Sequence, residues 1–196
     1  MQFQKEEIRN QILDSARILF VENKYSGTSL KDIAKSSNVS KSNIYNYFKT
    51  KEEILNVLTS KCKSNLSTIM SFLQDNSFEG ADNLKFALLD IIYKYIVPER
   101  EGMIILYEKE MEGIERPMVS ALLKVINSMV VPDLTVEENR QVIEIIVENL
   151  VRGYINILKS VDDKETIEYQ MLALTEYHVG GLANMKKLRE NAAKEL

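Results

Sequence analysis

The spacing of hydrophobic residues predicts a chain built almost entirely of helices. Apolar residues from Ile8 to Phe20 recur at steps of three and four, which predicts an amphipathic helix over about residues 5–22. The same spacing from 51 to about 76 predicts one long helix of roughly 38 Å. Five further helices are predicted over about 79–97, 100–112, 115–131, 135–160 and 163–190. No alternating strand pattern competes, so we expect an all-α fold with about nine helices.

Two short helices are predicted between the first helix and the long one. Ser29 and Asp32 have the spacing of a capping box at the start of a helix that ends near residue 36. Asn38 tolerates the left-handed conformation of a tight turn. Ser40 then caps a second short helix that ends near Phe48. Two short helices joined by such a turn form a helix-turn-helix unit.

The second short helix has an outer face suited to reading DNA. At about 100° per residue, Ile44 and Phe48 point inward, whereas Ser42, Asn43 and Asn46 point outward. Asparagine, serine and lysine bind base edges, and tyrosine and threonine hydroxyls bind phosphate oxygens. The alternative is a solvated helix whose tyrosines pad the core. The predicted DNA-binding residues are Thr28, Ser29, Ser40, Lys41, Ser42, Asn43, Tyr45, Asn46, Tyr47 and Lys51.

The charge of the chain is unevenly distributed. Residues 1–63 contain 11 Lys and Arg against 7 Asp and Glu, a net charge of +4, whereas residues 64–196 contain 14 against 22. A basic N-terminal third on an acidic body favours an anionic partner for that third.

Residues 12–55, "ILDSARILFVENKYSGTSLKDIAKSSNVSKSNIYNYFKTKEEIL", resemble the DNA-binding domain of TetR/AcrR-type transcriptional regulators. The resemblance implies a helix-turn-helix domain at 1–50 and a helical ligand-binding and dimerisation domain at 51–196, which begins with the long connecting helix at about 51–76. It also implies a homodimer on a palindromic operator, usually a repressor released by a small ligand, and a phosphate contact from Lys51. The family often has glycine where this chain has Lys24 and Asn38.

The last two helices are candidates for self-association. Apolar residues between 142 and 158 cover most of the circumference of one helix, which must therefore bury more than one face. The final helix contains Gly180 and Gly181, which cost helix stability unless another backbone approaches closely. We expect an intermolecular four-helix bundle, with packing inside one chain as the alternative. The predicted interface residues are Ile146, Leu150, Tyr154, Met171, Leu174, His178, Gly181 and Leu182.

A ligand pocket is expected among the helices between the long helix and residue 160. Methionine and aromatic side chains form adaptable apolar cavities, although each of them could equally fill a core. No arginine cluster marks a strongly anionic ligand, so a mainly apolar effector is favoured. The candidate wall residues are Phe72, Phe86, Tyr93, Met103, Tyr107, Met111 and Met118.

Other reactive residues are interpreted as structural. Cys62 lies on an apolar stripe and His178 on the last helix, so each is expected to be a core residue rather than a sensor. Neither a metal site, a cofactor nor an enzyme is predicted. Four acidic residues are expected to form a solvated face: Glu108, Glu110, Glu112 and Glu115. No apolar run is long enough to span a membrane and no signal peptide is evident, which predicts a cytoplasmic protein.

These patterns predict a DNA-binding protein, and the resemblance implies a dimeric transcriptional regulator, a repressor released by a small ligand. One alternative is a nucleoid-associated or architectural DNA-binding protein of the same fold without an inducer. The other is a ligand-binding or enzymatic helical bundle that does not read DNA.

Overall fold

The computed structural model describes residues 2–129 and 136–195, and the regular structure in those ranges is helical. The all-α prediction is therefore confirmed. None of the described helices has both the length and the apolar composition needed to cross a membrane. A π-helical turn, Ile92–Ile96, and a 3-10 turn, Val97–Glu99, connect two of the α-helices. The described α-helices are α1 (Gln2–Gly27), α2 (Leu30–Ser36), α3 (Lys41–Ile44), α4 (Lys51–Asp75), α5 (Ala81–Ile91), α6 (Arg100–Met129), α7 (Val136–Ser160) and α8 (Lys164–Glu195).

Helix α6 replaces two predicted helices, which is why the described part of the chain has eight α-helices instead of about nine. The predicted break before Pro117 is wrong, because the proline lies inside α6. A proline removes one hydrogen bond, to the carbonyl four residues earlier. Buried side chains beyond it, Val119 and Leu122, hold the helix in place despite that loss. The backbone deviates instead at Glu110, with φ −128° and ψ 36°.

The chain divides into two compact units. The N-terminal unit comprises Met1–Ser64 and Glu99–Met111, and the C-terminal unit comprises Asn65–Pro98 and Glu112–Leu196. The boundaries between the units therefore fall inside α4, inside the 3-10 turn Val97–Glu99 and inside α6. The domain boundary predicted after residue 50 is a functional division and remains a prediction.

One buried cluster of the N-terminal unit combines residues of the first four helices with one residue of α6. Helix α1 packs on α2, and α2 packs on α3. Ile105 of α6 is buried in the same cluster as Phe20 and Ile44. The buried members of the cluster are Ile12, Leu13, Ala16, Phe20, Ile33, Ala34, Val39, Ile44, Phe48, Ile54, Leu55 and Ile105. The Glu99–Met111 segment is thus part of this unit, although it lies far away in the sequence.

The C-terminal unit is organised around α8, which packs on both α5 and α7. At Gly153 of α7, an added Cβ would overlap the side chain of Leu174 on α8, so the two helices approach closely there. The hydroxyls of Tyr154 and Thr175 are 2.6 Å apart in the interior. Burial raises the pKa of Tyr154, so this phenol stays protonated.

Candidate nucleic-acid interface

The start of α2 is fixed by the predicted capping box. Ser29 Oγ accepts a hydrogen bond from the Asp32 amide at 3.3 Å, and the Ser29 amide donates to the Asp32 carboxylate at 2.9 Å. The Ser29 hydroxyl also donates to that carboxylate, at 2.6 Å. These hydrogen bonds from Ser29 lower the pKa of Asp32. Ser29 therefore lies at the N-terminus of α2, where it is exposed and its side chain makes the capping hydrogen bonds.

The turn between α2 and α3 has the conformation expected from Asn38. This residue has φ 51°, in the left-handed region. The Ser37 hydroxyl, which is buried, donates to the Ile33 carbonyl at 2.7 Å, and the Val39 amide donates to the Ala34 carbonyl at 3.1 Å. The turn is thus held by its own hydrogen bonds and sets the direction of α3.

Helix α3 is shorter than predicted but is oriented as predicted. Ser40 Oγ accepts from the Asn43 amide at 3.2 Å and caps the helix. The α-helical hydrogen bonds end at Ile44, and tighter turns continue to Phe48. Ile44 and Phe48 are buried in the core, which confirms the predicted inward stripe. The predicted helix end at Phe48 is corrected to Ile44, because the amides of Asn46 and Tyr47 donate to the third residue back, as in a tight turn.

The outer side of this segment displays polar groups. Asn46 is exposed, Asn43 is half-buried, and the Asn46 amide group donates to the Asn43 carbonyl oxygen at 3.0 Å. This bond holds the two carboxamides side by side. The Ser40 and Ser42 hydroxyls are 3.1 Å apart at the start of the helix. Other predicted contact residues at this surface are exposed Lys41, Ser42 and Tyr45 and half-buried Tyr47.

Two of the predicted phosphate-binding side chains, whose DNA contacts stay a prediction, make internal hydrogen bonds in this structure. Thr28 is buried, and its hydroxyl donates to the carbonyls of Lys24 at 2.9 Å and Leu19 at 3.1 Å. The Lys51 ammonium donates to the carbonyls of Tyr25 and Thr28, both at 2.6 Å. Both side chains thus hold the end of α1 and the loop that leads into α2.

Tyr25 stands at the centre of this arrangement. Its ring lies beneath the Lys51 ammonium, 4.0 Å from the centroid, and its hydroxyl donates to Glu52 at 2.7 Å. Burial, followed by the bond to Glu52 and the negative charge of that carboxylate, raises the pKa of Tyr25 to about 12. Burial also lowers the pKa of Lys51, with Lys109 acting in the same direction and Glu52 opposing it. Sequence reasoning did not link Tyr25 to Lys51, because their contact depends on how α1 and α4 meet.

A surface groove of about 710 Å³ lies beside α3. Asn43, Asn46 and Tyr47 line it from the helix-turn-helix, and three charged residues line it from α1. The α1 residues are Lys5, Glu6 and Arg9. None of these three was predicted as a site residue. Their only signal in the sequence was the positive charge of the N-terminal third.

The predicted pocket residues do not fall within one unit. Met103, Tyr107 and Met111 belong to the N-terminal unit, where Met103 and Tyr107 are buried and Met111 is exposed. Phe72, Phe86, Tyr93 and Met118 belong to the C-terminal unit. Phe72, Phe86 and Tyr93 are exposed and Met118 is half-buried, so the pocket remains a prediction.

Several predicted interface residues are buried within the chain itself. Leu150, Tyr154 and Met171 are buried, which leaves them almost no surface to offer to a second copy. Ile146, Leu174 and His178 are half-buried and Gly181 is exposed, whereas the side chain of Leu182 lies outside the described residues. Exposed apolar side chains occur at other positions of α7 and α8, namely Val142, Ile145, Tyr169, Leu172 and Tyr177.

The acidic residues near the middle of the chain are not a uniformly solvated face. Glu115 is buried and accepts from Arg152 at 2.5 Å, so its predicted exposure is corrected. Glu108 pairs with Lys24 at 3.3 Å and Glu110 pairs with Lys63 at 3.0 Å. The side chain of Glu112 lies outside the described residues. These contacts favour a structural role over a solvated one.

Cys62 and His178 have surroundings typical of residues with a structural role. Cys62 is buried, and burial raises the pKa of its thiol to about 11. A protonated thiol is a weak nucleophile, which agrees with the predicted core role. A ring nitrogen of His178 is 2.9 Å from the carbonyl of Leu174, one turn earlier on the same helix.

The N-terminal region matches a known family. A family profile described as "Bacterial regulatory proteins, tetR family" matches residues 12–58. The chain is 33% identical over 100 residues to the biofilm operon icaADBC HTH-type negative transcriptional regulator IcaR of Staphylococcus aureus strain Newman. That match covers 51% of this chain and 52% of the relative. The chain thus spans about half the length of the curated relatives it matches.

Solved structures resemble the fold over a greater length. The fatty acid degradation regulator FadR from Bacillus halodurans gives a TM-score of 0.52 at 18% identity, covering 89% of this chain and 96% of that one. FadR from Bacillus subtilis, solved in complex with stearoyl-CoA, also gives 0.52 at 18% identity, covering 88% and 96%. At this identity the likeness concerns the fold.

Proposed function

Because the chain belongs, through residues 12–58, to the tetR family of bacterial regulatory proteins, we propose that it binds a palindromic DNA operator as a homodimer and represses transcription. Members of this family are DNA-binding transcription factors and not enzymes. The observation that carries the proposal is the orientation of α3. Its apolar residues Ile44 and Phe48 are buried, and Asn43, Asn46 and Tyr45 are left at the surface beside them.

The exposed side chains divide into base-reading and phosphate-binding groups. A carboxamide can accept from and donate to adenine at once, so Asn46 is the proposed adenine reader, with Asn43 oriented beside it. Ser42 and Lys41 lie one turn earlier and reach neighbouring base edges or phosphates. Tyr45 and Tyr47 have hydroxyls suited to phosphate oxygens, which fix the register of the protein on the duplex.

The structural bonds of Thr28 and Lys51 change the role proposed for them. The Thr28 hydroxyl proton and two of the three N–H donors of Lys51 are used on carbonyls of α1 and of the loop before α2. We therefore assign both to positioning the helix-turn-helix rather than to direct phosphate contact. Ser29 and Ser40 keep acceptor positions at the surface while capping α2 and α3.

Dimerisation is proposed through α7 and α8. Val142 and Ile145 on α7 are 46% and 50% exposed, and Tyr169 and Tyr177 on α8 are 70% and 78% exposed. Large apolar groups on two neighbouring helices favour burial against a second copy. A Cβ added at Gly181 meets no described atom within 4 Å, so the space beside this glycine is open to another backbone. Ile146, Leu174 and His178 remain as half-buried members of the proposed interface.

Release by a mainly apolar small molecule is the proposed mode of regulation. IcaR is named as a negative regulator, and the Bacillus subtilis FadR structure holds stearoyl-CoA, whose acyl chain is apolar. DNA accepts two recognition helices only about 34–36 Å apart, so a ligand that favours another spacing weakens binding. To invert a 99:1 population of DNA-binding over non-binding conformations, the ligand must bind the non-binding conformation more tightly by about 5.5 kcal/mol. The predicted pocket residues are the proposed ligand contacts.

The experiment that tests the proposal is selection of random duplex DNA by the purified protein at near-physiological salt, followed by sequencing. We expect a palindrome with half-sites about one helical turn apart. Asn46→Ala should lower affinity for it by about 1–3 kcal/mol and relax one position of the motif. Lys164→Ala, on α8, is the control and should leave the motif unchanged. Recovery of no motif, with binding that disappears as salt rises, would favour the architectural or ligand-only alternatives.

A further inference from the structure

The groove beside α3 is formed by two helices that bring different chemistry to it. Asn43 and Asn46 stand on the side that is proposed to read bases. Lys5 and Arg9 stand on the α1 side, one helical turn apart, so their cationic groups lie on the same face of that helix. The groove therefore extends from the residues proposed to read bases to the positively charged residues of α1.

Arg9 is held in place by a contact with the second helix of the pair. Its guanidinium carbon lies 5.3 Å from the centroid of the Phe48 ring, and Phe48 is buried in the core directly after α3. A guanidinium over an aromatic face keeps its charge and its donors while its orientation is restricted. Arg9 is thus prepositioned at the groove, whereas Lys5 is exposed there.

The groove, about 710 Å³ in volume, lies at the surface beside the residues proposed to meet DNA. Duplex DNA carries a phosphate charge about every 1.7 Å of its axis, so any strand that lies here brings phosphates to Lys5 and Arg9.

We propose that this groove binds the DNA sugar-phosphate strand next to the bases read by Asn43 and Asn46, with Lys5 and Arg9 as its phosphate contacts. The inference rests on the proposed function and extends the interface to α1. Glu6 also lines the groove, and its carboxylate repels the phosphates. Glu6 therefore sets the affinity below its maximum, at every sequence alike, because phosphates carry no sequence information.

Glu6 and its neighbour Glu7 provide a matched pair of variants. Both are exposed glutamates near the start of α1, but only Glu6 lines the groove. Glu6→Gln and Glu7→Gln change the net charge by the same amount, so long-range attraction to DNA rises equally in both. Each is compared with the wild-type protein on its selected operator and on a scrambled duplex, at several salt concentrations. Thermal unfolding of each variant checks that the fold is unchanged.

The expected result is that Glu6→Gln binds both duplexes about two- to fivefold more tightly per groove than Glu7→Gln. Lys5→Gln should weaken binding to both and reduce the slope of log K against log salt by about 1 per groove. The operator motif itself should not change. The groove assignment is overturned if wild-type protein selects a palindrome while the two glutamate variants bind equally and Lys5→Gln keeps the wild-type slope. Absence of any motif would instead refute the proposed function, and this inference with it.

Discussion

Lys51 Nζ lies 4.0 Å from the centre of the Tyr25 ring and donates to the backbone carbonyl of the same residue at 2.6 Å. One ammonium thus closes the end of α1, stacks on its last aromatic ring and, through the carbonyl of Thr28, fixes the loop before α2. The start of α4 is thereby tied to the two segments that orient the helix-turn-helix.

Replacing Lys51 should destabilise the protein even without DNA. Lys51→Met keeps the apolar stem but leaves the carbonyls of Tyr25 and Thr28 without their charged donor, and a hydrogen bond to a charged group contributes about 1.5–3 kcal/mol. Because Lys51 is only half-buried, water can reach these carbonyls and offset part of the loss. We therefore expect the free energy of urea unfolding to fall by about 2 kcal/mol. Lys31→Met, at an exposed position of α2, is the control. Weaker DNA binding with unchanged unfolding would instead show that Lys51 contacts a phosphate, as the resemblance implies.

Tyr25 should make stability depend on pH in the alkaline range. Its pKa is about 12 in the folded protein, against about 10 in an unfolded chain. Between these values the unfolded chain has lost the proton and the folded protein retains it. The stabilisation is therefore complete below pH 10 and is lost as pH rises towards 12.

The measurement is the unfolding free energy of wild type and Tyr25→Phe across that window. The variant should lose less stability with rising pH, because the titrating hydroxyl is gone. Because the pKa of Lys51 is lowered in the folded protein, this residue makes stability rise with pH just below pH 10.5. Lys51 is present in both proteins, so the comparison between them isolates the effect of Tyr25. Tyr45→Phe, at an exposed tyrosine, should follow the wild-type curve. Parallel curves for wild type and Tyr25→Phe would contradict the prediction.

Lys24 occupies a backbone conformation that suits glycine. Its φ of 63° and ψ of 162° lie in a region where a side chain costs about 1–3 kcal/mol. Lys24→Gly removes this strain but also the ion pair with Glu108, an exposed contact of less than about 1 kcal/mol. We expect a net gain of about 1 kcal/mol in unfolding free energy. Lys24→Ala loses the ion pair without relieving the strain, so it should be no more stable than wild type. If the glycine variant is less stable than the alanine variant, the backbone at Lys24 is not strained.

Gly102 of α6 faces the thiol of Cys62 at close range. A Cβ added at this glycine would overlap the Cys62 sulfur and lie 3.3 Å from the carbonyl oxygen of Leu58. Gly102→Ala should therefore lower the unfolding free energy by about 1–3 kcal/mol, the usual cost of overpacking. Cys62→Ala makes room for that methyl group, so the double variant should recover part of the loss. Thermal unfolding of wild type, the two single variants and the double variant gives the coupling energy between the two positions. If the two single effects simply add, the Cβ at residue 102 does not overlap the Cys62 sulfur.

The inward and outward faces of α3 could be predicted because they depend only on helical spacing within a few residues. The capping box of Ser29 and Asp32 and the left-handed Asn38 are equally local. Thr28 and Lys51 could not be interpreted in the same way, since their donors bind carbonyls that only the packed helices bring near. The continuation of α6 through Pro117 was also missed, because packing around the proline outweighs its local preference.

The groove was missed for a related reason. Lys5 and Arg9 are ordinary surface residues of α1 until the fold places Asn43 and Asn46 beside them. Resemblance indicated that glycine is common at the positions of Lys24 and Asn38. Both residues have positive φ, which supplies the physical reason.

Ile105 belongs to a cluster of buried residues whose other members all lie at or before Leu55. During synthesis, about fifty further residues must therefore be made after Leu55 before Ile105 can join this cluster. Until then the cluster that contains Phe20 and Ile44 lacks one of its buried side chains. A fragment that stops at Ser64 has the same deficiency permanently. The cluster that buries Ile44 of α3 is thus completed only after more than half of the chain has been made.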